Sequence, residues 1–266
     1  MYEQYWRFNE KPFENTPDPK FLYNSPQHEE ALTRLLYVVK EGKGAGLLTG
    51  VYGCGKTLLA RALMKELENS IYKVALVNNP RLDDVELLRI ICYYLGVNEP
   101  PVRKADILIT LEKVLQNNLN DGKKTVVVID EAHAIEDKNI FEEIRLLLNY
   151  QFDNKFLLTL LILGQPELKD KIESNKQLNQ RIAMRFYLEA LARAETESYI
   201  RHRLSVCGGN TEIFAPEAIA AIHERSGGIP RRINQLCDVS LLTGYGRQSS
   251  SVTREIVEET IKSLSL

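Results

Sequence analysis

Short apolar runs alternate with helix-period segments along the larger, N-terminal part of the chain. Runs of aliphatic and β-branched residues predict strands at 45–49, 72–78, 125–129 and 156–163. Between them, apolar residues recur at helical spacing, which predicts helices at 57–67, 83–95, 105–118 and 139–150. Because strands that alternate with helices form parallel sheets, the pattern predicts an α/β fold in which helices flank a parallel sheet.

The C-terminal part of the chain has a different pattern. From residue 193 onward no run predicts a strand, and helical spacing predicts four helices at 193–206, 216–225, 230–243 and 253–264. Pro216 opens the second of these helices and Thr253 caps the fourth. We therefore predict an α/β domain at 1–190, including an N-terminal arm, and a small all-α domain at 191–266.

The N-terminal segment mixes aromatic residues with proline. Its aromatic residues are Tyr2, Tyr5, Trp6, Phe8 and Phe13, and prolines lie at 12, 17 and 19. Such a mixture is typical of an extended arm packed on a surface. A helix is expected to begin at Pro26, with Ser25 as its N-cap.

A glycine-rich segment follows the first predicted strand and fits the phosphate-loop pattern G-x-x-x-x-G-K-[ST]. In such a loop the backbone N–H groups turn inward around phosphates, Lys56 reaches the outer phosphates, and the Thr57 hydroxyl can bind Mg²⁺. The helix that follows would place its N-terminus at the phosphates, where anions are favoured. We assign nucleotide binding to Gly50, Val51, Tyr52, Gly53, Cys54, Gly55, Lys56, Thr57 and Leu58.

Two carboxylates end the strand predicted at 125–129. Asp130 and Glu131 follow a β-branched run that is typical of a buried parallel strand. In this position Asp130 would bind the Mg²⁺ that Thr57 holds, and Glu131 would act as base on the water that attacks the γ-phosphate. The loop and the paired carboxylates together predict an enzyme that binds and hydrolyses a nucleoside triphosphate with Mg²⁺.

The residues Asp130-Glu131-Ala132-His133 also spell the box that names one class of helicases. Such helicases resemble two tandem nucleotide-binding domains, whereas 266 residues with one phosphate loop leave no room for a second. We therefore interpret His133 as a polar residue after the strand and not as a helicase coupling element.

Polar residues elsewhere are candidates for the same site. Gln165 follows the strand at 156–163, and ligands of parallel sheets bind beyond the carboxyl ends of strands, so its amide is expected near the γ-phosphate or the attacking water. Arg181 and Arg185 precede what is predicted to be a last short strand, and arginine suits phosphate because its guanidinium is permanently charged and forked.

Three further residues are candidates on the nucleotide. Arg231 is expected in the first turn of a helix, where the helix dipole does not favour a cation, so a bound phosphate would explain its placement. Tyr23 and His28 precede the first predicted strand of the sheet and are candidates to cover the nucleotide base. Packing on a surface is the alternative explanation for both.

Composition limits the partners. A net charge of −2 and a pI near 6.2 argue against a protein that coats nucleic acid through bulk positive charge. Nucleic-acid binding through a local basic patch remains an alternative, because arginines lie at 201, 203, 231, 232 and 247. The four cysteines form no C-x-x-C pair, as expected of reduced thiols in a cytoplasm. The run at 156–163 is too short to span a bilayer, so no direct membrane insertion is expected.

Together these motifs resemble an AAA+ ATPase, with a Walker A loop, a Walker B Asp-Glu pair and a helical lid. More narrowly, the residues Pro12-Phe13, Thr16-Pro17-Asp18-Pro19, Gly164-Gln165-Pro166-Glu167-Leu168 and Gly227-Gly228-Ile229-Pro230-Arg231 resemble the ExeA, or general secretion pathway protein A, ATPases. The resemblance implies that Gln165 is sensor 1 and Arg231 is sensor 2. It also implies that Arg185 is a finger acting on the nucleotide of a neighbouring subunit, with Arg181 as its helper.

The resemblance implies a bacterial cytoplasmic ATPase that forms a ring or filament of identical subunits when it binds ATP. Its hydrolysis would drive assembly of an envelope, secretion or polysaccharide-export complex, and partners would hold it at the inner face of the membrane. The alternative is a nucleotide-switched regulator that binds DNA, as in the AAA+ ATPases of transposons. The low positive charge favours the first hypothesis.

Overall fold

The computed structural model describes residues 1–67 and 70–264, so the last two residues of the predicted C-terminal domain lie outside the described residues. Strands β1 to β7 span Ala45–Gly50, Tyr72–Val77, Lys124–Ile129, Gln151–Phe152, Lys155–Phe156, Leu158–Gly164 and Ile182–Leu188. Helices α1 to α12 span Glu3–Trp6, Pro26–Lys40, Lys56–Glu66, Asp84–Tyr94, Lys104–Asn120, Lys138–Leu147, Glu167–Ser174, Lys176–Arg181, Arg193–Val206, Pro216–Ser226, Pro230–Gly246 and Arg254–Ser263.

Five strands form one parallel sheet in the order β2-β3-β6-β1-β7. Strands β1 and β6 are buried along their whole length, as is β3 after its first residue, which explains their unbroken apolar runs. The predicted α/β fold with a parallel sheet flanked by helices is confirmed. Because β3, β6 and β1 are neighbours, their carboxyl ends at Ile129, Gly164 and Gly50 meet at one edge of the sheet.

The chain packs into two compact units. The sheet unit consists of Glu29–Gly50 and Leu59–Leu188. The helical unit consists of Met1–His28, Val51–Leu58 and Glu189–Leu266. This division differs from the predicted one in two respects, since the N-terminal arm and the phosphate loop both pack with the C-terminal helices.

One hydrophobic core fills the sheet unit. It joins the buried side chains on one face of the sheet to apolar faces of α4, α5 and α6, which include Leu87, Leu111 and Ile144. Helix α4 begins with a capping box, in which Asp83 accepts from the Glu86 N–H and Glu86 accepts from the Asp83 N–H. Each such cap satisfies backbone donors that the helix itself leaves unpaired.

The N-terminal segment is not an extended arm on a surface, as the sequence suggested. It forms the short helix α1 and contributes aromatic side chains to the core of the helical unit: Tyr2, Trp6, Phe8, Phe13 and Phe21. The indole N–H of Trp6 donates to the carbonyl oxygen of Leu241 at 3.0 Å. Aromatic side chains bury large apolar areas, so this segment enlarges the core that the four C-terminal helices form.

A buried arginine joins this segment to α9. Arg203 is 3% exposed, and its guanidinium donates to the carbonyl oxygens of Pro12 at 2.5 Å and Glu14 at 2.9 Å and to the Tyr199 hydroxyl at 3.0 Å. It also stacks over the Phe21 ring, 4.4 Å from the centroid. The arginine therefore satisfies backbone acceptors of a segment that has little regular structure.

We expect Arg203→Met to lower the free energy of unfolding, because it leaves carbonyl groups of the N-terminal segment without a donor. The expected loss is about 1–3 kcal/mol, measured by urea unfolding. Arg201→Met is the matched control on the same helix, since its pairs with Glu197 and Glu212 lie at the surface and are worth under about 1 kcal/mol. Equal effects of the two substitutions would contradict the role given to Arg203.

Two local predictions need correction. The apolar run at 156–163 does not begin a single strand, because Lys155–Phe156 pairs with Gln151–Phe152 as a hairpin and β6 begins at Leu158. Asp153 and Asn154 make the turn, with φ values of 47° and 61° that suit a tight hairpin. In addition, Arg185 lies within β7, whereas the sequence predicts it before the last strand.

No helix within residues 1–67 and 70–264 is long and apolar enough to cross a membrane.

Candidate functional site

The phosphate loop lies in the helical unit, between the end of β1 and the start of α3. Gly53 and Gly55 have φ values of 82° and 99°, a conformation that favours glycine and turns successive N–H groups to one side. Lys56 is 5% exposed, and its ammonium donates to the carbonyl oxygen of Val51 at 3.0 Å. Thr57 lies in the first turn of α3. The loop thus has the backbone geometry, the buried cation and the helix N-terminus that an anion site needs.

Cys54 is a structural member of this loop. Its side chain is fully buried, and burial raises the pKa of the Cys54 thiol to about 11. A helix N-terminus can lower the pKa of a cysteine, but desolvation outweighs that effect here. The interpretation of Cys54 as a small residue tolerated in the loop fits this environment better than a reactive thiolate.

His28, in the first turn of α2, contacts the loop. Its Nε2 lies 3.0 Å from the carbonyl oxygen of Cys54, and its Nδ1 lies 2.7 Å from the Ser25 hydroxyl. Since a carbonyl can only accept, Nε2 carries the proton and Nδ1 accepts from Ser25. Burial lowers the pKa of His28, so the ring is held neutral and serves as a brace for the loop.

Tyr23 packs against α9, with its ring centroid 6.1 Å from that of Tyr199 and 5.8 Å from that of His202. A pocket of about 30 Å³ opens here, lined by Leu22, Tyr23, His28, Cys54, Gly55, Leu58, Leu191, Tyr199 and Pro230. Ligand sites are typically roughly 300–1,000 Å³. A nucleotide base would therefore enter beside Tyr23 and His28 only if these walls moved apart.

Arg231 also meets the loop. It is the second residue of α11, its N–H donates to the Gly53 carbonyl oxygen at 3.2 Å, and its guanidinium lies 4.6 Å from the centroid of the Tyr52 ring. The guanidinium also donates to the Tyr52 hydroxyl. A Cβ atom on Gly53 would lie 2.9 Å from the Cβ of Arg231, so this approach requires glycine. Sequence reasoning placed Tyr52 in the loop but missed its stacking on Arg231.

The sheet unit holds the two carboxylates where they were predicted. Asp130 follows β3 directly and is 2% exposed, and its N–H donates to the carbonyl oxygen of Val77 at 2.9 Å. Its Oδ1 accepts from the Glu131 N–H at 2.8 Å. Glu131 has a φ of 53°, which is rare for a residue other than glycine. This turn directs the chain out of the sheet while the Glu131 side chain stays 41% exposed and accessible to water.

Gln165 and His133 meet at the ends of the neighbouring strands β6 and β3. The Gln165 N–H donates to His133 Nδ1 at 3.3 Å, and His133 Nε2 lies 3.4 Å from a carboxylate oxygen of Glu131. Sequence reasoning treated His133 as a polar residue without a further role. The signal that could have found it is the strand order, because pairing of β3 with β6 brings together the residues that follow them.

Arg185 lies on β7, which is an edge strand of the sheet, and Arg181 comes directly before that strand. Arg185 pairs in register with Leu47 of β1, and its guanidinium donates to Asn179 at the carbonyl oxygen, 3.0 Å away, and at Oδ1, 2.6 Å away. Arg181 is the last residue of α8. Within the described residues its Nη1 is buried and has no hydrogen-bond partner.

The family model described as AAA domain matches residues 39–172, which is half of the chain. This chain belongs to the AAA domain family. The matched segment contains the phosphate loop, Asp130, Glu131 and Gln165. General secretion pathway protein A of Aeromonas hydrophila is 38% identical over 257 residues, covering 95% of this chain and 46% of that protein. The resemblance to ExeA, or general secretion pathway protein A, ATPases is thereby confirmed.

A second relative is the uncharacterized HTH-type transcriptional regulator MJ0774 of Methanocaldococcus jannaschii, 25% identical over 59% of this AAA-family chain and 39% of that protein. The chain thus spans less than half the length of both relatives. Among solved structures, the ORC1 protein of Aeropyrum pernix in complex with DNA has a TM-score of 0.73 at 18% identity and covers 96% of this chain and 69% of that one. This likeness shows a shared fold.

Proposed function

We propose that this AAA-family chain binds and hydrolyses ATP with Mg²⁺. The observation that carries the proposal is the phosphate loop that follows β1, with buried Lys56 at the start of a helix, in a chain whose strand β3 ends in Asp130 and Glu131. Nucleotide binding and phosphate release by Lys56→Ala and Glu131→Gln test it. The proposal fails if both variants behave like the unchanged protein.

The donor set fits magnesium. Mg²⁺ prefers oxygen ligands and usually takes one or two from protein side chains, with phosphate oxygens and waters as the rest. Thr57 offers a hydroxyl at the start of α3, and Asp130 offers a carboxylate that its neighbour's N–H orients. When bound, Mg²⁺ would neutralise charge that develops on the phosphates.

The chain's own groups divide the remaining work. The loop N–H groups and Lys56 bind the phosphate oxygens, with Arg231 as a further cation beside the loop. Glu131, exposed at the carboxyl end of β3, accepts the proton of the attacking water, and Gln165 orients that water or the γ-phosphate from the end of β6. Tyr23 and His28 would line the base, after the small pocket between them opens.

The complex that would use this hydrolysis is inferred from the similarity to general secretion pathway protein A. Similarity to general secretion pathway protein A supports a role in assembling an envelope, secretion or polysaccharide-export complex, as a ring or filament of ATP-bound subunits in the bacterial cytoplasm. Partners would hold it at the inner face of the membrane. Because the chain matches less than half of that relative, the partner chemistry stays a proposal.

The second candidate function is that of a DNA-binding regulator. It is favoured by the similarity to MJ0774, which is named an HTH-type transcriptional regulator, and by the fold shared with the ORC1 protein, whose structure was solved in complex with DNA. The arginines that kept this candidate open are mostly engaged in the helical unit. Arg203 is buried, Arg201 pairs with glutamates, Arg231 stacks on Tyr52, and Arg247 pairs with Glu259. Such pairing leaves little positive surface for phosphate contacts.

We expect the ATP-loaded protein to bind duplex DNA weakly at physiological salt. Fluorescence anisotropy of a labelled duplex at two salt concentrations measures this, since binding through phosphate contacts falls steeply as salt rises. An Arg232→Ala variant is included because the Arg232 side chain is exposed. Tight, ATP-dependent and salt-sensitive binding would overturn the secretion proposal in favour of the regulator.

A further inference from the structure

Three residues form a connected group at the ends of β3 and β6 in the sheet unit. Glu131 and His133 follow β3, and Gln165 follows β6. The imidazole of His133 lies between the other two, with Nδ1 3.3 Å from the Gln165 nitrogen and Nε2 3.4 Å from Oε2 of Glu131. The role proposed for Glu131 requires its carboxylate, yet nothing in that role accounts for the histidine that faces it.

One hydrogen bond of the His133 ring fixes its tautomer. The backbone N–H of Gln165 can only donate, so Nδ1 of His133 must be the acceptor, and in the neutral ring the proton then lies on Nε2. That N–H faces the Glu131 carboxylate. Contacts between catalytic groups are often long until substrate is bound, so a separation of 3.4 Å is within reach of a hydrogen bond after a small rotation.

The turn that carries His133 is held rigidly. The Lys171 ammonium on α7 donates to the carbonyl oxygens of His133 at 2.5 Å and Ile135 at 2.7 Å. A Cβ atom on Gly164 would lie 3.1 Å from the His133 nitrogen and 2.7 Å from a methyl carbon of Leu168, so this turn packs closely against the end of β6. The position of the His133 backbone, from which the ring projects, is therefore set by the scaffold.

We propose that His133 is a positioning residue that orients the Glu131 carboxylate and couples it to the end of β6 through Gln165. The proposal rests on the proposed ATP hydrolysis with Glu131 as base. A glutamate side chain has three rotatable bonds and therefore many rotamers. When one N–H donor already fixes its carboxylate, fewer rotamers remain to be lost, so the entropic cost of placing the base on the attacking water is lower. His133 contacts neither nucleotide nor water in this role.

Two amide substitutions separate the two contacts of the ring. The amide of a glutamine reaches about as far as Nε2, so His133→Gln can still donate to Glu131. The amide of an asparagine reaches only about as far as Nδ1, so His133→Asn keeps an acceptor for Gln165 and loses the donor to Glu131. His223→Gln, on a histidine that bonds Thr196 in the helical unit, is the matched control.

We expect kcat to fall in the order unchanged protein, His133→Gln, His133→Asn. The asparagine variant should lose about tenfold or more, below the total of roughly 10²–10⁴ that a general base contributes. Nucleotide affinity, measured by equilibrium binding, should stay the same in all variants, because the ring does not touch the phosphate loop in this role. Equal kcat values for the asparagine variant and the unchanged protein would overturn the proposal.

A double variant tests whether His133 acts through Glu131. With Glu131→Gln in place, His133→Asn should cause no further loss, because effects of residues that act as a unit are not additive. A full additional loss would mean that His133 acts by another route. If instead Glu131→Gln alone hydrolyses ATP normally, the proposed base is wrong, and that result is distinct from a failure of the histidine.

A spectroscopic measurement observes the histidine ring in the unchanged protein itself. In the unchanged protein labelled with ¹⁵N-histidine, NMR should show His133 with an unprotonated Nδ1 and a protonated Nε2. His133→Asn identifies the resonance, or His133→Gln does so if the asparagine variant does not fold. A protonated Nδ1 would remove the Gln165 contact and with it the proposal.

Discussion

Arg185→Ala and Glu131→Gln, each nearly inactive alone, are expected to regain part of the ATPase rate when the two variants are mixed. In a ring or filament, an interface can then form with Glu131 intact on one subunit and Arg185 intact on the next. An arginine that acts on a neighbour's phosphoryl group typically contributes roughly 10³–10⁵ in rate, so even a minority of such interfaces should be measurable above the separate variants.

The position of Arg185 supports this experiment. It lies on β7, the edge strand of the sheet, and its guanidinium is exposed and bonded to Asn179 of its own chain. An edge position leaves the side chain able to reach another subunit. The bond to Asn179 would have to be exchanged for a phosphate contact when subunits associate, which a charged ligand favours over a neutral amide.

Steady-state ATPase activity across mixing ratios and protein concentrations measures the effect. Recovery should be greatest near equal amounts, and specific activity of the unchanged protein should rise with concentration. Arg103→Ala, which changes an exposed arginine of the same unit, is the control and should keep the activity of the unchanged protein when it is assayed alone. A specific activity independent of concentration, without recovery on mixing, would mean that Arg185 does not act between subunits.

Lys56→Ala should lose ATP binding, whereas Glu131→Gln should bind ATP and hydrolyse it roughly 10²–10⁴ times more slowly. The two effects differ because Lys56 is buried inside the phosphate loop and binds phosphate, whereas Glu131 follows β3 and acts only on the attacking water. Removing the loop cation leaves phosphate charge without its nearest partner. Removing the carboxylate leaves the loop unchanged.

Equilibrium binding of a fluorescent ATP analogue and phosphate release decide between these outcomes. Lys65→Ala is the matched control, since Lys65 is an exposed lysine on the same helix as Lys56. Normal turnover in Glu131→Gln would remove it as the base. Normal affinity in Lys56→Ala would remove the loop from the proposed site.

The sequence predicted the sheet well because its evidence is local. Each buried parallel strand is an apolar run, and the phosphate loop and the Asp130-Glu131 pair are contiguous motifs whose positions at strand ends follow from the run before them. Gln165 could be placed on the same reasoning, since only the end of one strand had to be found.

Contacts between distant segments could not be predicted in this way. The stacking of Tyr52 on Arg231 joins residues in two different parts of the chain, and hydrophobic periodicity holds no record of such a pair. The aromatic residues near the N-terminus read as surface packing because their partners lie on α9 to α12. The contact between His133 and Gln165 could be predicted only from the order of the strands in the sheet, and the order of strands along the chain does not give it.

The helical unit is built from three separate stretches of the chain. This has a consequence for synthesis on the ribosome. Trp6, Phe8 and Phe13 leave the exit tunnel long before the helices at 193–263 that bury them exist. At elongation rates of roughly 5–20 residues per second, the wait is on the order of ten seconds or more. During that time the nascent chain exposes these aromatic side chains, so the sheet unit can fold before the core that buries them exists.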